Sequence, residues 1–348
     1  MLRKIPLSEM PLSAPSSTWQ EQLADVVTDL SELLAILQLD AAQLGASAAA
    51  LHDFPLRVPR PYLARMKPGD PRDPLLLQVL PLAAELVALP GYSHDPLGEA
   101  SANNQRGLLH KYHGRVLLIA TQSCAIHCRY CFRRHFPYAD NRPGRAQWQD
   151  ALAYIANDAT ITEVILSGGD PLATSNTYLQ WLVERLRAIP HVQRLRLHTR
   201  VPIMLPQRVD DALLRMLGEA SQQVVVVLHA NHANEFDAEV DAACRRLRGE
   251  GIHLLNQSVL LKGINDDADA LCALSERLLA AGVLPYYVHM PDKVQATAHF
   301  DVTDDEAQTL MRAMHARLPG YLVPRLVREE CGQPGKVAVA TNMLPAAG

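Results

Sequence analysis

From His110 onward, short apolar runs rich in β-branched residues alternate with amphipathic stretches of helical period. Arg115–Thr121, Thr162–Leu166, Arg194–Thr199, Gln223–Leu228, His253–Ser258 and Leu284–Met290 read as strands. Between them, Ala146–Asn157, Asn176–Ala188, Arg208–Leu217, Glu235–Arg248 and Ala268–Ala281 repeat apolar residues at helical spacing. After a wider first interval the strand starts recur roughly every 30 residues, the length of a βα unit. Six such units predict an α/β fold with an open or partial parallel (β/α)6 barrel; a doubly wound open sheet is the alternative.

The first hundred residues lack this alternation. Pro6, Pro11 and Pro15 make residues 1–17 an irregular arm. Leu23, Val26, Val27, Leu30, Leu33, Leu34 and Leu37 then predict a helix from Trp19 to about Leu37, and a second helical stretch is expected over Leu75–Ala88. The expected organisation is a mostly helical N-terminal region at 1–105, a barrel at 106–300 and a C-terminal segment at 301–348.

Composition narrows the class. The longest strongly apolar run, near Val224–Leu228, is far short of the roughly 20 residues a membrane helix needs. Met1-Leu-Arg-Lys-Ile-Pro leads into polar sequence rather than an apolar signal core, so a cytoplasmic protein without a membrane partner is expected. A net charge of −4 gives no general attraction to phosphate backbones, and nucleic acid is not an expected partner.

The polar signals stand just beyond the strand ends, where parallel βα folds gather their active sites. Cys124-Ala-Ile-His-Cys128-Arg-Tyr-Cys131 follows the first strand, and Ser167-Gly168-Gly169-Asp170 the second. Thr199-Arg200 follows the third, His229 and Asn231 the fourth, Gln257 closes the fifth, and His289 to Asp292 follow the sixth. Three of the six cysteines fall in the first of these motifs. Three thiolates on a four-iron cluster leave one iron without a protein ligand, free to chelate a small molecule. A zinc site is the competing reading, with His127 or His135 as a fourth ligand, although the spacing is not a usual zinc pattern. Cys244 and Cys272 lie in helical sequence and read as buried apolar residues.

Cys-x3-Cys-x2-Cys with Tyr130 before the last cysteine resembles the signature of the radical S-adenosylmethionine (SAM) superfamily. The resemblance implies a [4Fe–4S] cluster on Cys124, Cys128 and Cys131 that binds SAM and cleaves it reductively. Ser167, Gly168, Gly169 and Asp170 resemble the family's glycine motif for the methionine end of SAM, and His229 and Gln257 are assigned with them to cofactor binding. Further stretches resemble the lysine 2,3-aminomutases: Lys111-Tyr-His-Gly-Arg115, Cys131-Phe-Arg-Arg134, Leu205-Pro-Gln-Arg208, Asn231-His-Ala-Asn-Glu235, Asn256 to Asn265, Pro285-Tyr-Tyr287 and Gly335-Lys336. Gln22 to Asp29, Cys131 to Tyr138 and Asp292-Lys-Val-Gln295 resemble that family's elongation factor P β-lysylation branch.

The resemblance implies pyridoxal 5′-phosphate (PLP) on Lys336, with Tyr112 and Arg115 holding its phosphate or ring. It implies that Arg133 clamps the carboxylate of free L-lysine, while Asp292 and Glu329 take its ε-ammonium; Glu330 is the alternative to Glu329. The turn at Gly332-Gln-Pro-Gly-Lys336 departs from the family's longer glycine run. The implied product is β-lysine, as the R isomer, attached to elongation factor P by a separate ligase, with flavodoxin or ferredoxin as reductant. Competing readings are an RNA-modifying radical SAM enzyme and a lysine-degrading aminomutase making the S isomer.

Overall fold

Alternate residues along each strand of a long parallel sheet face one interior: Leu117, Ile165, Arg196 and His198, Val225, Leu255 and Gln257, Tyr287 and His289. This period of two is what a sheet curved around a cavity requires. The computed structural model describes residues 18–99, 106–137 and 145–340. The proline-bearing arm at 1–17 lies outside them.

In the N-terminal region, strand β1 (Val26–Val27) pairs antiparallel with β2 (Val58–Pro59). The main sheet then runs in sequence order through β3 (Leu108–Tyr112), β4 (Arg115–Thr121), β5 (Glu163–Gly168), β6 (Arg194–Thr199), β7 (Gln223–His229), β8 (His253–Val259), β9 (Leu284–His289), β10 (Arg325–Arg328) and β11 (Val337–Ala338). Strands β4 to β10 are parallel, and antiparallel β3 and β11 form the two edges. The six strands read from the sequence are β4 to β9, each placed within one or two residues. The segment after residue 300 adds β10 and β11 to the same sheet, and β11 begins one residue after Lys336.

The crossover helices lie at Arg145–Asn157, Asn176–Arg187, Asp211–Gly218, Ala238–Gly249 and Ala268–Ala280. Asp210, Asp237 and Asp267 cap the last three, their carboxylates accepting free first-turn amides. These caps explain why the helices expected from Arg208 and Glu235 start three residues later. Arg208 is instead buried, donating to the Leu172 and Thr174 carbonyls with its guanidinium over the Trp19 ring.

Two expected N-terminal helices are corrected. Trp19–Leu37 divides into helices Trp19–Ala24 and Leu30–Leu37, because Asp29 caps the second and Val26–Val27 leaves to pair with β2. Leu75–Ala88 is a run of turns with a 3-10 segment at Ala83–Leu86. Asp73 Oδ1 accepts from Leu75 N and Leu76 N, and Pro81 has no amide to continue a helix. Leu75, Leu76, Val79 and Leu80 are all fully buried, so the helix-like spacing marks the residues this turn-rich segment packs inward. Cys244 and Cys272 are core residues, as expected.

Candidate active site

The strands enclose a cavity of about 670 Å³ that all the sequence-selected residues line: Cys124, Cys128, Cys131, Tyr112, Arg115, Arg133, Ser167 to Asp170, His229, Gln257, Asp292, Glu329 and Lys336. Glu330 does not line it and is exposed, so Glu329 is the carboxylate turned inward.

The cysteine loop is held by the N-terminal region. His127 N donates to the Arg57 carbonyl at 3.0 Å and Arg129 N to the Gln78 carbonyl at 2.9 Å, while Arg57 Nε donates to the Cys124 carbonyl at 3.0 Å. Arg129 and Arg134, on either side of Cys131, both end on the buried carboxylate of Glu85. His127 bonds to the Pro55 carbonyl and stacks on Phe54, and His135 stacks on His94. Both rings are thus engaged in packing. Among the described residues no three His, Cys, Asp or Glu side chains converge to hold a single metal ion. A cluster asks for no such convergence, because each thiolate takes a different iron. Burial pushes the Cys131 thiol up to about 11 and Cys124 well above the usual thiol range, so ligation displaces their protons.

Gly168 and Gly169 answer to close packing. Gly168 has φ +107°, and a Cβ there would sit 2.7 Å from the Thr121 carbonyl oxygen; on Gly169 it would sit 2.4 Å from that of Ser123. The space is taken by the strand leading to Cys124, whose Thr121 and Ser123 carbonyls accept from Gly169 N and Asp170 N. Asp170 accepts from Thr199 Oγ1 and Arg200 N, both at 2.6 Å, clipping β5 to the end of β6. The motif therefore braces the cysteine loop, and its carboxylate is engaged within the fold.

Arg200 is the hub behind the cysteines. Its guanidinium donates to Cys128 Sγ at 2.7 Å, to the Tyr130 hydroxyl at 2.6 Å and to Glu235 Oε2 at 2.9 Å. Tyr130 also bonds to His229 Nε2 at 2.9 Å. Asn231, Asn256 and Asn265 form internal clips: Asn231 Oδ1 accepts from Val259 N, Asn256 pairs with the Ala230 backbone, and Asn265 donates to the Asn231 carbonyl. Much of the Asn231–Glu235 and Asn256–Asn265 sequence thus shapes the strand ends.

Opposite charges alternate along one wall. Arg133 makes a two-pronged contact to Glu99, Nε to Oε2 at 2.8 Å and Nη2 to Oε1 at 2.7 Å, and its Nη1 reaches Ser167 Oγ and the Gly168 carbonyl. Lys111 Nζ lies 3.8 Å from Glu99 and 3.4 Å from Glu329, and Lys336 Nζ is 2.9 Å from Glu329. Burial would raise the Glu329 carboxyl, but Lys336, Lys111 and the Tyr112 hydroxyl hold it at about 2. Asp292 has the opposite balance: burial, then Glu329, push it up to about 7.

Also on the lining, Arg196 pairs with Glu163 and Arg115 lies over the Tyr112 ring. Lys336 Nζ lies 5.9 Å from the Tyr287 ring centre. His198 Nε2, His289 Nε2 and Arg200 Nε are buried without a hydrogen-bond partner in the protein. Burial holds both imidazoles neutral, His289 at about 3. Each such unpaired atom costs about 1–3 kcal/mol. The cavity lining thus gathers three thiols suited to iron, guanidinium and carboxylate groups, and the Lys336 amine.

Sequence reasoning did not select Glu99, Glu85, Lys111, Arg196 or His198. Lys111 and Arg200 did stand in motifs already noted; Glu99 and Glu85 carried no local signal, because their partners are 34 and 44 residues away.

A Radical SAM superfamily profile matches residues 118–274. The chain is 50% identical to an L-lysine 2,3-aminomutase of Escherichia coli, covering 93% of this chain and 95% of that one. It is 45% identical to the L-lysine 2,3-aminomutase of Haemophilus influenzae, covering 96% and 99%, and 33% identical to that of Clostridium subterminale, covering 93% and 78%. Matched nearly end to end and carrying the cysteine loop, glycine brace and lysine in one cavity, the chain belongs to the lysine 2,3-aminomutase family, radical SAM isomerases that work with a [4Fe–4S] cluster, SAM and PLP.

Proposed function

We propose that the protein converts free L-lysine to (R)-β-lysine, which a separate ligase attaches to a lysine of elongation factor P. The observation that carries the substrate reading is the charged wall: a guanidinium at Arg133 and carboxylates at Glu329 and Asp292, with Lys336 beside them. That order suits a molecule with a carboxylate at one end and an ammonium at the other. Family membership favours it over an RNA-modifying enzyme or a zinc module.

Cys124, Cys128 and Cys131 would hold the cluster, with Ser167 to Asp170, His229 and Gln257 shaping the SAM side. Lys336 would carry PLP, with Tyr112 and Arg115 at its phosphate or ring. The cluster with SAM supplies hydrogen-atom abstraction, and PLP supplies the carrier for the migrating amino group. The chain's own residues orient the substrate. Arg133 fixes the carboxylate, Glu329 and Asp292 fix the far ammonium, and the buried walls keep water from reactive species. Clamping a free carboxylate is incompatible with lysine already joined to a protein through an amide, so rearrangement precedes ligation.

The elongation factor P assignment is supported by the branch-like segments at Gln22–Asp29, Cys131–Tyr138 and Asp292–Gln295. The lysine-degrading alternative makes the S isomer. On this reading the protein works in the cytoplasm with flavodoxin or ferredoxin as reductant. No described helix is long and apolar enough to cross a membrane. We retain a division near residues 105 and 300, with the N-terminal part as the platform of the cysteine loop and the C-terminal part as carrier of Lys336. The test is anaerobic incubation with SAM, PLP and a strong reductant, offering equal concentrations of free L-lysine and elongation factor P bearing α-lysine. (R)-β-lysine from the free amino acid is expected. Rearrangement of protein-bound lysine alone overturns the order of steps, and the S isomer overturns the biosynthetic assignment.

A further inference from the structure

The residues proposed to grip the two ends of lysine already hold charged partners from the protein. Arg133 grips Glu99 through two hydrogen bonds of 2.8 and 2.7 Å, and both side chains are buried. Glu329 faces the ammonium groups of Lys111 at 3.4 Å and Lys336 at 2.9 Å. Glu99 and Lys111 are themselves 3.8 Å apart, and Lys111 is further tied to the Leu97 carbonyl at 3.1 Å.

We propose that Glu99 and Lys111 form a built-in stand-in for the two charged ends of the substrate, with the Glu99 carboxylate occupying the grip of Arg133 and the Lys111 ammonium that of Glu329. The inference rests on the reading of Arg133 as the substrate-carboxylate clamp. When lysine enters, its carboxylate takes Glu99's place and Glu99 moves onto Lys111, its nearest other cation. Lys111, now neutralised by Glu99, releases Glu329 to the ε-ammonium. Occupation of one end thereby favours occupation of the other, a coupling that is reciprocal by thermodynamic necessity. The stand-in also explains how a buried guanidinium and a buried carboxylate persist before substrate arrives, since an isolated buried charge is far more costly than a paired one. Its consequence is that the empty site is only fractionally competent, which lowers apparent affinity by that fraction. An amino acid with a carboxylate but no ε-ammonium displaces Glu99 without using the released Glu329, and is disfavoured.

The experiment uses PLP-loaded protein without reductant, so that no turnover occurs, and follows the shift in cofactor absorption as ligand is added. The ligands are L-lysine, L-norleucine (no ε-ammonium) and cadaverine (no carboxylate). In Glu99→Gln, L-norleucine is expected to bind about tenfold more tightly and L-lysine to tighten by less, so that the preference for lysine over norleucine shrinks, while cadaverine is expected to be unchanged. In Lys111→Met, which leaves Glu99 on Arg133, cadaverine is expected to tighten instead. Arg133→Gln is the control for the clamp and is expected to weaken lysine and norleucine but not cadaverine. If Arg133→Gln behaves so while Glu99→Gln leaves lysine unchanged or weaker, Glu99 is a fixed brace and the stand-in is overturned. If Arg133→Gln weakens lysine and cadaverine alike, the clamp fails and the stand-in fails with it.

Discussion

The guanidinium of Arg200 donates to the sulfur of Cys128 at 2.7 Å, while its other arm is paired with the buried carboxylate of Glu235. Hydrogen bonds and positive charge at a ligating sulfur favour the reduced, more negative cluster. Arg200→Gln is therefore expected to lower the cluster's midpoint potential and slow reductive SAM cleavage, read by an EPR-monitored redox titration. Arg200→Lys keeps the charge and should recover part of the potential. An unchanged potential in Arg200→Gln would show that the contact does not act on the cluster.

Glu85 neutralises both Arg129 and Arg134, and all three side chains are buried. Glu85→Ala leaves two guanidinium groups without their shared partner, and removing one member of such a network costs about 3–5 kcal/mol. The expected result is a lower melting temperature together with iron content well below four per chain after anaerobic reconstitution. A variant that is destabilised yet loads iron fully would dissociate this clamp from the cysteine loop.

Gly169 tests the brace. Its added methyl would press on the Ser123 carbonyl at 2.4 Å, next to Cys124. Since backbone cannot yield as a flexible side chain does, Gly169→Ala is expected to cost about 1–3 kcal/mol and to impair cluster loading. Gly263→Ala, a control with positive φ but open space, should be strained without touching the cluster. Equal cluster content in the two variants would refute the bracing role.

Asp292 gives a pH dependence whose sign follows from its surroundings. Burial and Glu329 raise it to about 7 against Lys336 and Lys111, so it is largely protonated below that pH and anionic above it. Binding of an ε-ammonium is then expected to strengthen as pH rises from 6 to 8. For folding the sign is reversed: the native state holds a proton the unfolded chain has lost, so this group's contribution to stability falls as pH rises from about 4 to 7. Asp292→Asn should abolish both trends, measured by lysine titrations monitored through PLP absorption and by pH-dependent unfolding. A rise in lysine affinity that persists in Asp292→Asn would assign the titration elsewhere.

Lys336→Ala is expected to retain the cluster's absorption and to lose the borohydride-reducible link to PLP. Peptide mapping that places the pyridoxyl group on Lys111, the other amine in the cavity, would move the cofactor site.

The amino-acid sequence by itself determined the strands, because β4 to β9 alternate with helices at a period that packing in a parallel sheet demands. It also determined the cysteine loop and the glycine brace, where chemistry and spacing are local. The resemblance extended this to Lys336, Arg133, Asp292 and Glu329, and all of them meet in one cavity. In the N-terminal region the apolar spacing suits helices that local caps and turns interrupt. Leu75, Leu76, Val79 and Leu80 are buried at helix-like spacing, but Asp73 and Pro81 turn the chain where that periodicity suggests a helix. What only the tertiary structure decided is which charges face one another. Glu99 and Arg133, Glu85 and Arg129, and Arg200 and Cys128 are 34, 44 and 72 residues apart. No local pattern pairs them, since the pairing arises from barrel curvature and from the N-terminal region folding over the cysteine loop, and in that buried setting it fixes which charges persist.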